Sequence, residues 1–332
     1  MTGHAPSKTE TGRVVALCGG VGGAKLAYGL AETLGSRLTI VVNTGDDFEH
    51  LGLFVSPDVD TVLYTLGRRA DRERGWGRAD ETWNFMAALA EIGGETWFNL
   101  GDRDLALHVE RTRRLQAAES LSAVVGRFAT SFGIAARIAP MTDARVSTVV
   151  ETTEGEMPFQ RYFVGRRAEP VLTGVRFNGA AEAEPSAAVV EALTAPDLRA
   201  VVICPSNPFL SVDPILAVPG LRRLLENVAA PVVAVSPLIG GAAVKGPTAK
   251  IFAELSLPAT SAAIAKHYGG LLDGLVIDET DAANQGDVGV AVLVTRTLMS
   301  SDEDRVRLAE ETLAFADALA AGKELARGTS PA

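Results

Sequence analysis

The chain has 332 residues, 47% of them hydrophobic, which is enough for a substantial core without staples and permits one large α/β domain or two smaller ones. Its formal net charge of -10 excludes a protein whose main partner is a nucleic-acid backbone, because that surface demands dense Lys and Arg. A nucleotide site made of backbone donors and a metal is still compatible with that charge.

Taken in chain order, Arg13–Cys18 reads as a strand buried on both faces and ending in glycine. Gly23–Leu34 has helical spacing, with Leu26, Leu30 and Leu34 on one face and Gly35 as a stop. Arg37–Asn43 is a second strand. Ser56-Pro57 opens a helix, with Ser56 as its expected cap and a stripe of Val59, Val62, Leu63 and Leu66. A charged, glycine-punctuated loop, Arg68–Gly77, leads to a helix expected over Asp80–Ile92. Trp97–Leu100 reads as a third strand, followed by helices near Asp104–Arg114 and Ser120–Phe132. Val146–Thr152 and Phe159–Val164 flank Glu154-Gly155 and read as a hairpin interrupting the strand–helix alternation. The alternation resumes with helix Ser186–Leu193, strand Ala200–Cys204, helix Pro219–Val228 and strand Val232–Ser236. Helices near Pro247–Leu255 and Ser261–Tyr268 precede strands Leu275–Asp278 and Val288–Val294. A last helix starts at Ser301, where Ser301 and Asp304 form a capping box, and runs to about Ala320. The fold class is therefore α/β: a Rossmann-like three-layer core on a mainly parallel sheet, with helical and β-hairpin insertions. One domain over 13–322 is expected, with a helical insertion near 68–140, the hairpin insertion near 145–180, and flexible tails at 1–12 and 323–332.

Cys18 and Cys204 each end an apolar run and read as buried free thiols. The polar first dozen residues lack a secretory h-region, and no run is long enough to span a membrane, so a cytoplasmic location is expected.

The chemistry concentrates on a few stretches. Gly19, Gly20, Val21, Gly22, Gly23 and Lys25 bring unobstructed backbone N–H groups to a helix N-terminus, a place that attracts phosphate. The loop is neither a Walker loop nor a GxGxxG fingerprint, and the second strand ends in Asn43 rather than a ribose-binding carboxylate, so NAD is disfavoured. A glycine-rich turn without a ligand is the plain alternative. Asp46, Asp47, Asp58 and Asp60 gather at one sheet edge, and such oxygen ligands suit Mg²⁺ that also holds substrate phosphates. Asp46 is the first choice for metal; Asp60 faces the cleft in this reading, and Asp58 reads as a helix-capping acid. Asp102, Asp104 and His108 share a helical spacing, and His108 is either a substrate-orienting or a surface residue. Trp83 and Trp97 either stack on a flat heterocycle or pack in the core. Ser206 and Asn207, held between Pro205 and Pro208, and Lys245 in a glycine loop follow later strands, with ligand binding and turn chemistry both open.

Together these stretches resemble one family, the 2-phospho-L-lactate transferases of coenzyme F420 biosynthesis, known in actinobacteria as phosphoenolpyruvate transferases. The signposts are GGVGGAK, VVNTGDDFEHLGLFVSPDVDTVLYTL, GDRDLALHVERT, the MTD–VSTVVET–EG–FQRYFVGRR block, CPSNPFLSVDPIL, VAVSPLIGGAAVKGP and a late TLM, spanning about Val14 to Ala320. The resemblance implies transfer of an enolpyruvyl-phosphate or 2-phospho-L-lactate group from a guanosine diphosphate-linked donor to the deazaflavin Fo, releasing GMP. It also implies Mg²⁺ and a homodimer. By position it places the donor nucleotide on the glycine loop, Ser206 and Asn207, and Fo on Asp60 and Asn99. Around these matches Lys245 is a further candidate for the donor, and Thr44, Trp83, Gly101, Asp102 and His108 are further candidates for Fo; Asp46 is the candidate for catalysis and metal, with Asp60 orienting the hydroxyl or sharing the metal. This chain has GGVGGAK where archaeal relatives often read GGTGTPK, and Asn99 where they carry a basic residue; both leave the identity of the three-carbon group open. A non-enzymatic nucleotide-sugar sensor of the same superfamily is the rival expectation.

Overall fold

The computed structural model describes residues 11–243 and 248–328. Its centre is a seven-stranded sheet in which every neighbouring pair is parallel. In chain order the strands are β1 (Arg13–Cys18), β2 (Leu38–Val42), β5 (Arg137–Pro140), β9 (Leu198–Ile203), β10 (Val232–Val235), β13 (Gly274–Asp278) and β14 (Ala291–Thr295). Across the sheet they lie in the order β14-β13-β10-β9-β1-β2-β5. The chain thus winds outward from β1 to one edge and returns to fill the other. The reversal falls between β1 and β9, the switch point where open α/β sheets bind ligands beyond their strand C-termini.

Both sheet faces are covered, which is why the central strands read as unbroken apolar runs. Val15, Leu17, Val201 and Ile203 enter one core, while Val14, Ala16, Cys18, Val202 and Cys204 enter the other. The second face is closed by α1 (Gly20–Leu34), α2 (Pro57–Leu66) and the long C-terminal α11 (Asp302–Gly328). α11 starts on the expected capping box: Asp304 N donates to Ser301 Oγ and Ser301 N to Asp304 Oδ2, at 3.2 and 3.1 Å.

Four local expectations are corrected. Trp97–Leu100 is no strand; the neighbour of β2 is Arg137–Pro140. Instead of alternating between two faces, Trp97 and Phe98 both turn to Phe48, with ring centroids 6.0 and 4.9 Å away, in a small aromatic cluster. The hairpin is real, but β6 (Ser147–Thr152) returns through β7 (Gly155–Pro158), and β8 (Leu172–Asn178) completes a three-stranded antiparallel sheet. Phe159–Val164 is a helical turn rather than a strand: Phe159 and Phe163, four apart, stack at 5.5 Å, a spacing that belongs to a helix. The helix expected from Asp80 begins at Asn84, as α3 (Asn84–Glu91). Finally, a short hairpin of β3 (Phe48–His50) and β4 (Leu53–Val55) carries the chain from the second strand to α2.

α1 and α11 approach closely at Gly29, where an added Cβ would fall 2.0 Å from the Arg305 backbone oxygen. Helix propensity favours Ala over Gly by about 1 kcal/mol, but forcing two helices apart costs about 1–3 kcal/mol. Gly29→Ala is therefore expected to lower the free energy of unfolding measured in denaturant. A rise of about 1 kcal/mol, the propensity gain alone, would show the contact to be soft.

Candidate active site

Beyond the C-terminal ends of the central strands lies a cleft of about 740 Å³. One wall is the glycine loop with the turn after β9. The first turn of α1 comes close to that turn: a Cβ on Gly22 would meet the Pro205 carbonyl oxygen at 2.5 Å, and Gly20 takes a positive φ of 66°. Only glycine fits both conditions. Gly19 N donates to Ser206 Oγ at 3.1 Å, joining the loops of β1 and β9 across 187 residues. Gly23 faces inward against Ser206 Oγ and Cys18 Sγ. Cys18 and Cys204 are buried and free, as expected.

The floor is a group of buried acids arranged around Asn43, itself 0% exposed. Asn43 Nδ2 lies 2.9 Å from Asp46 Oδ1 and 2.9 Å from Asp58 Oδ2, and its Oδ1 accepts from Gly45 N at 2.7 Å. Asp58 Oδ1 accepts from Gly20 N at 2.7 Å. Asp58 is thus not a cap for its own helix: it caps α1. Ser56 does not cap α2 through its side chain either, since its Oγ donates to Asp47 Oδ1 at 2.6 Å.

These acids have few compensating charges, and burial dominates their electrostatics. Burial, reinforced by the charge of Asp58, raises Asp46 well above the usual carboxylate range against the hydrogen bond from Asn43. Burial likewise pushes Asp47 well up, opposed by Ser56 and Arg111, and pushes Asp58 up to about 6, opposed by Asn43 and the Gly20 amide. Asp47 Oδ2 and Thr44 Oγ1 are buried without a hydrogen-bond partner.

Asp60 sits in a different environment. Both its oxygens pair with the guanidinium of Arg111, which is 0% exposed, and His108 Nδ1 lies 3.7 Å from Asp60 Oδ2. His108 Nε2 is 3.2 Å from Asp104 Oδ2, and the Tyr64 hydroxyl donates to Asp104. Burial raises Asp60, with Arg111 and His108 opposing. At Asp104 burial acts in the same sense, yet His108, the Tyr64 hydroxyl and the charge of Arg111 together outweigh it and hold the carboxyl below its usual range.

The cleft is lined by Gly19, Gly20, Val21, Gly22, Lys25, Asp46, Asp60, Asn99, His108, Ser206 and Asn207 among the residues singled out from sequence. Thr44, Trp83, Gly101 and Asp102 are not among its lining residues. Asp102 accepts from Thr82 Oγ1, Asn84 N, Asn84 Nδ2 and Phe85 N, so its oxygens are spent on starting α3. Those bonds, the one from Thr82 first, hold it down at about 2. Gly101 packs on Glu81, and Thr44 is buried beneath the floor. Ser206 and Asn207 are not the free side chains expected of the turn: Ser206 takes the Gly19 amide, and Asn207 Oδ1 accepts from Phe209 N and Leu210 N. Lys245 lies outside the described residues.

Sequence reading saw in Asn43 only a missing ribose-binding carboxylate, and it passed over Arg111 and the loop residues Arg74 and Trp76, of which the last two line the cleft. Arg111 carried a usable signal. Asp104, His108 and Arg111 recur at i, i+4 and i+7 in α4 (Asp102–Gln116), a polar stripe on the face that helical spacing turns toward the core.

A sequence model described as 2-phospho-L-lactate transferase CofD matches residues 14–310. The chain belongs to this family. A phosphoenolpyruvate transferase of Streptomyces griseus is 42% identical over 315 residues, covering 92% of this chain and 98% of that protein. A 2-phospho-L-lactate transferase of Methanosarcina acetivorans is 40% identical, covering 92% and 99%. A solved structure of a UPF0052-family protein from Bacillus halodurans shares the fold, with a TM-score of 0.61 at 16% identity over 91% of this chain and 99% of that one. The chain is therefore a transferase with the Rossmann-like fold that the sequence implied. Among its described residues no helix is long and apolar enough to cross a membrane.

The acids give this transferase a pH signature. A carboxyl raised on folding stabilises the fold below its unfolded pKa and loses that contribution as pH climbs through its folded pKa. The thermal midpoint of the protein without ligands is expected to fall between about pH 5 and about pH 7, less so in Asp46→Asn. A divalent cation competes with protons for the same oxygens, so Mg²⁺ should raise the midpoint more at about pH 8 than at about pH 6. A Mg²⁺ shift that is equal at both, or larger in acid, would mean that the ion binds elsewhere.

Proposed function

We propose that the chain transfers an enolpyruvyl-phosphate or 2-phospho-L-lactate group from a guanosine diphosphate-linked donor to a hydroxyl of the deazaflavin Fo, giving coenzyme F420-0 or its dehydro form and GMP. The observation that carries this reading is the floor of the cleft. Acids without a cationic partner lie against a helix N-terminus at the switch point, and the same cleft is lined by the aromatic side chains of Trp76, Phe98, Phe159 and Phe163. That arrangement suits a diphosphate at one end and a flat alcohol at the other.

The oxygen-only donor set fits Mg²⁺, since Asp46 and Asp58 are buried, lack a cationic partner and share one amide. Asp60 is bound by Arg111, so Asp46 and Asp58, rather than Asp46 and Asp60, would hold the ion. Bound there, Mg²⁺ would neutralise charge on the donor phosphates. The Val21 and Gly22 amides in the first turn of α1, with Lys25, hold the nucleotide side. Asp60, oriented by Arg111, accepts the hydrogen of the Fo hydroxyl, with His108 and Asp104 behind it. The hydroxyl oxygen forms a bond to the phosphorus that carries the three-carbon acid, and the bond from that phosphorus to the oxygen of GMP breaks. Such transfer is chiefly positioning and charge neutralisation, which these residues supply.

The deciding assay incubates the protein with Mg²⁺, Fo and each guanosine donor in turn and reads product mass. A conjugate together with GMP is expected, and the donor that yields it identifies the three-carbon acid. Nucleotide binding without a conjugate from either donor would make the protein a binding module instead. Asp46→Asn and Asp60→Asn should each lower kcat/KM by more than about tenfold, a cost above ~1.4 kcal/mol; smaller losses would remove those residues from the mechanism.

A further inference from the structure

The segment from Arg69 to Ala79 is a built loop rather than a slack connection. Its base is closed by the hydrogen bond from Ala79 N to Arg69 O at 2.7 Å and by a bridge between Ala70 and Arg78. Inside it, Asp71 N donates to Gly77 O, Gly75 N to Asp71 O, and Arg74 Nε to Asp71 Oδ2, all at 2.9–3.1 Å. At its tip, flanked by Gly75 and Gly77 with φ of 73° and 71°, stands Trp76, 50% exposed. Of the three tryptophans, Trp76 is the one that lines the cleft. Trp83, whose ring is 6.4 Å away, is turned into the cluster shared with Phe98. Trp97 lies under the guanidinium of Arg161, 4.0 Å from its ring centre. Arg74 backs both Trp76 and Trp83, 5.4 and 5.1 Å from their ring centres, and its Nη2 donates to the Arg78 carbonyl oxygen at 2.8 Å.

A large apolar ring held open to a cleft by a self-bonded loop costs exposed hydrophobic area unless something flat covers it. Trp76 stands beside Trp83, which packs with Phe98, and Phe98 and Asn99 line the same cleft. The cleft carries a further exposed aromatic in Phe163, itself stacked on Phe159. From this placement we infer that Trp76 is the stacking wall for the ring system of the acceptor, and so a specificity residue for a flat, multi-ring alcohol. The inference rests on the transfer to Fo proposed above. Arg74 acts behind it as a positioning residue, and Asp71 fixes Arg74.

The test compares wild type, Trp76→Ala, Trp76→Phe and Trp83→Phe in steady-state kinetics and in Fo fluorescence titration. Loss of one ring-on-ring stack is expected to raise the KM for Fo by about five- to a hundredfold in Trp76→Ala. The KM for the guanosine donor should stay within about twofold, as expected of a residue that does not touch the donor. Trp76→Phe should recover most of the loss, and Trp83→Phe should change Fo binding little. An unchanged KM for Fo in Trp76→Ala overturns the inference while leaving the proposed reaction standing. A rise confined to the guanosine donor also overturns it, assigning the wall to the nucleobase. Failure of wild type to bind Fo removes the proposed function itself. Unchanged donor KM in each variant serves as the check that the fold is intact.

Discussion

The amide of Asn43 is the group on which the site depends. It lies at the end of β2, fully buried, and its two N–H groups hold carboxylates from two different segments, Asp46 from the loop and Asp58 from α2. Asp58 in turn takes the Gly20 amide and so fixes the start of α1. One side chain therefore sets the mutual position of two buried acids and the glycine turn that opens α1. A carboxylate at position 43 would add a fourth negative charge where three already resist ionisation. This gives a physical reason for an amide where dinucleotide-binding folds place an acid.

The same floor divides the cleft electrostatically. Asp46, Asp47 and Asp58 are raised by burial and have amide, hydroxyl and backbone partners, while Asp60 has Arg111. Buried acids without a cationic partner present a more negative local potential than one paired with a guanidinium. Two acids only two residues apart, on one turn of α2, thus differ electrostatically because of their surroundings rather than their own chemistry. Arg111 reaches Asp60 across 51 residues of sequence, so the division is a product of tertiary packing.

Much of this was legible in sequence, and the limits are instructive. The parallel core could be read because strands buried on both faces appear as unbroken apolar runs, and Val14–Cys18 and Ala200–Ile203 are such runs. The glycine loop and the acids were visible because backbone access and charge are properties of residue types. Their partners were not. Asp58 looked like a cap for the helix it opens, because nothing local shows that its oxygens face Gly20. Asp102 looked like a ligand because it follows a conspicuous aromatic run, yet long-range hydrogen bonds from Thr82 and Asn84 claim it. Trp97 and Phe98 mimicked a strand because a satellite aromatic cluster and a buried strand draw on the same residues. Trp76, in a loop dense with charge, gave no periodic signal at all.

The bond between Gly19 and Ser206 spans 187 residues, and Lys25 reaches the Met299 carbonyl across 274. β1 is the first strand made, yet its second neighbour, β9, arrives when well over half the chain has been synthesised. During that interval the glycine loop lacks its opposing wall, and the nearby acids have not yet been taken out of water. Closing such distant contacts is slow because loop entropy must be overcome before they form. The cleft is thus among the last parts of the molecule to assemble, and a nascent or shortened chain lacking β9 would lack the wall that Ser206 contributes to it. A complete cleft reports completion of the whole fold.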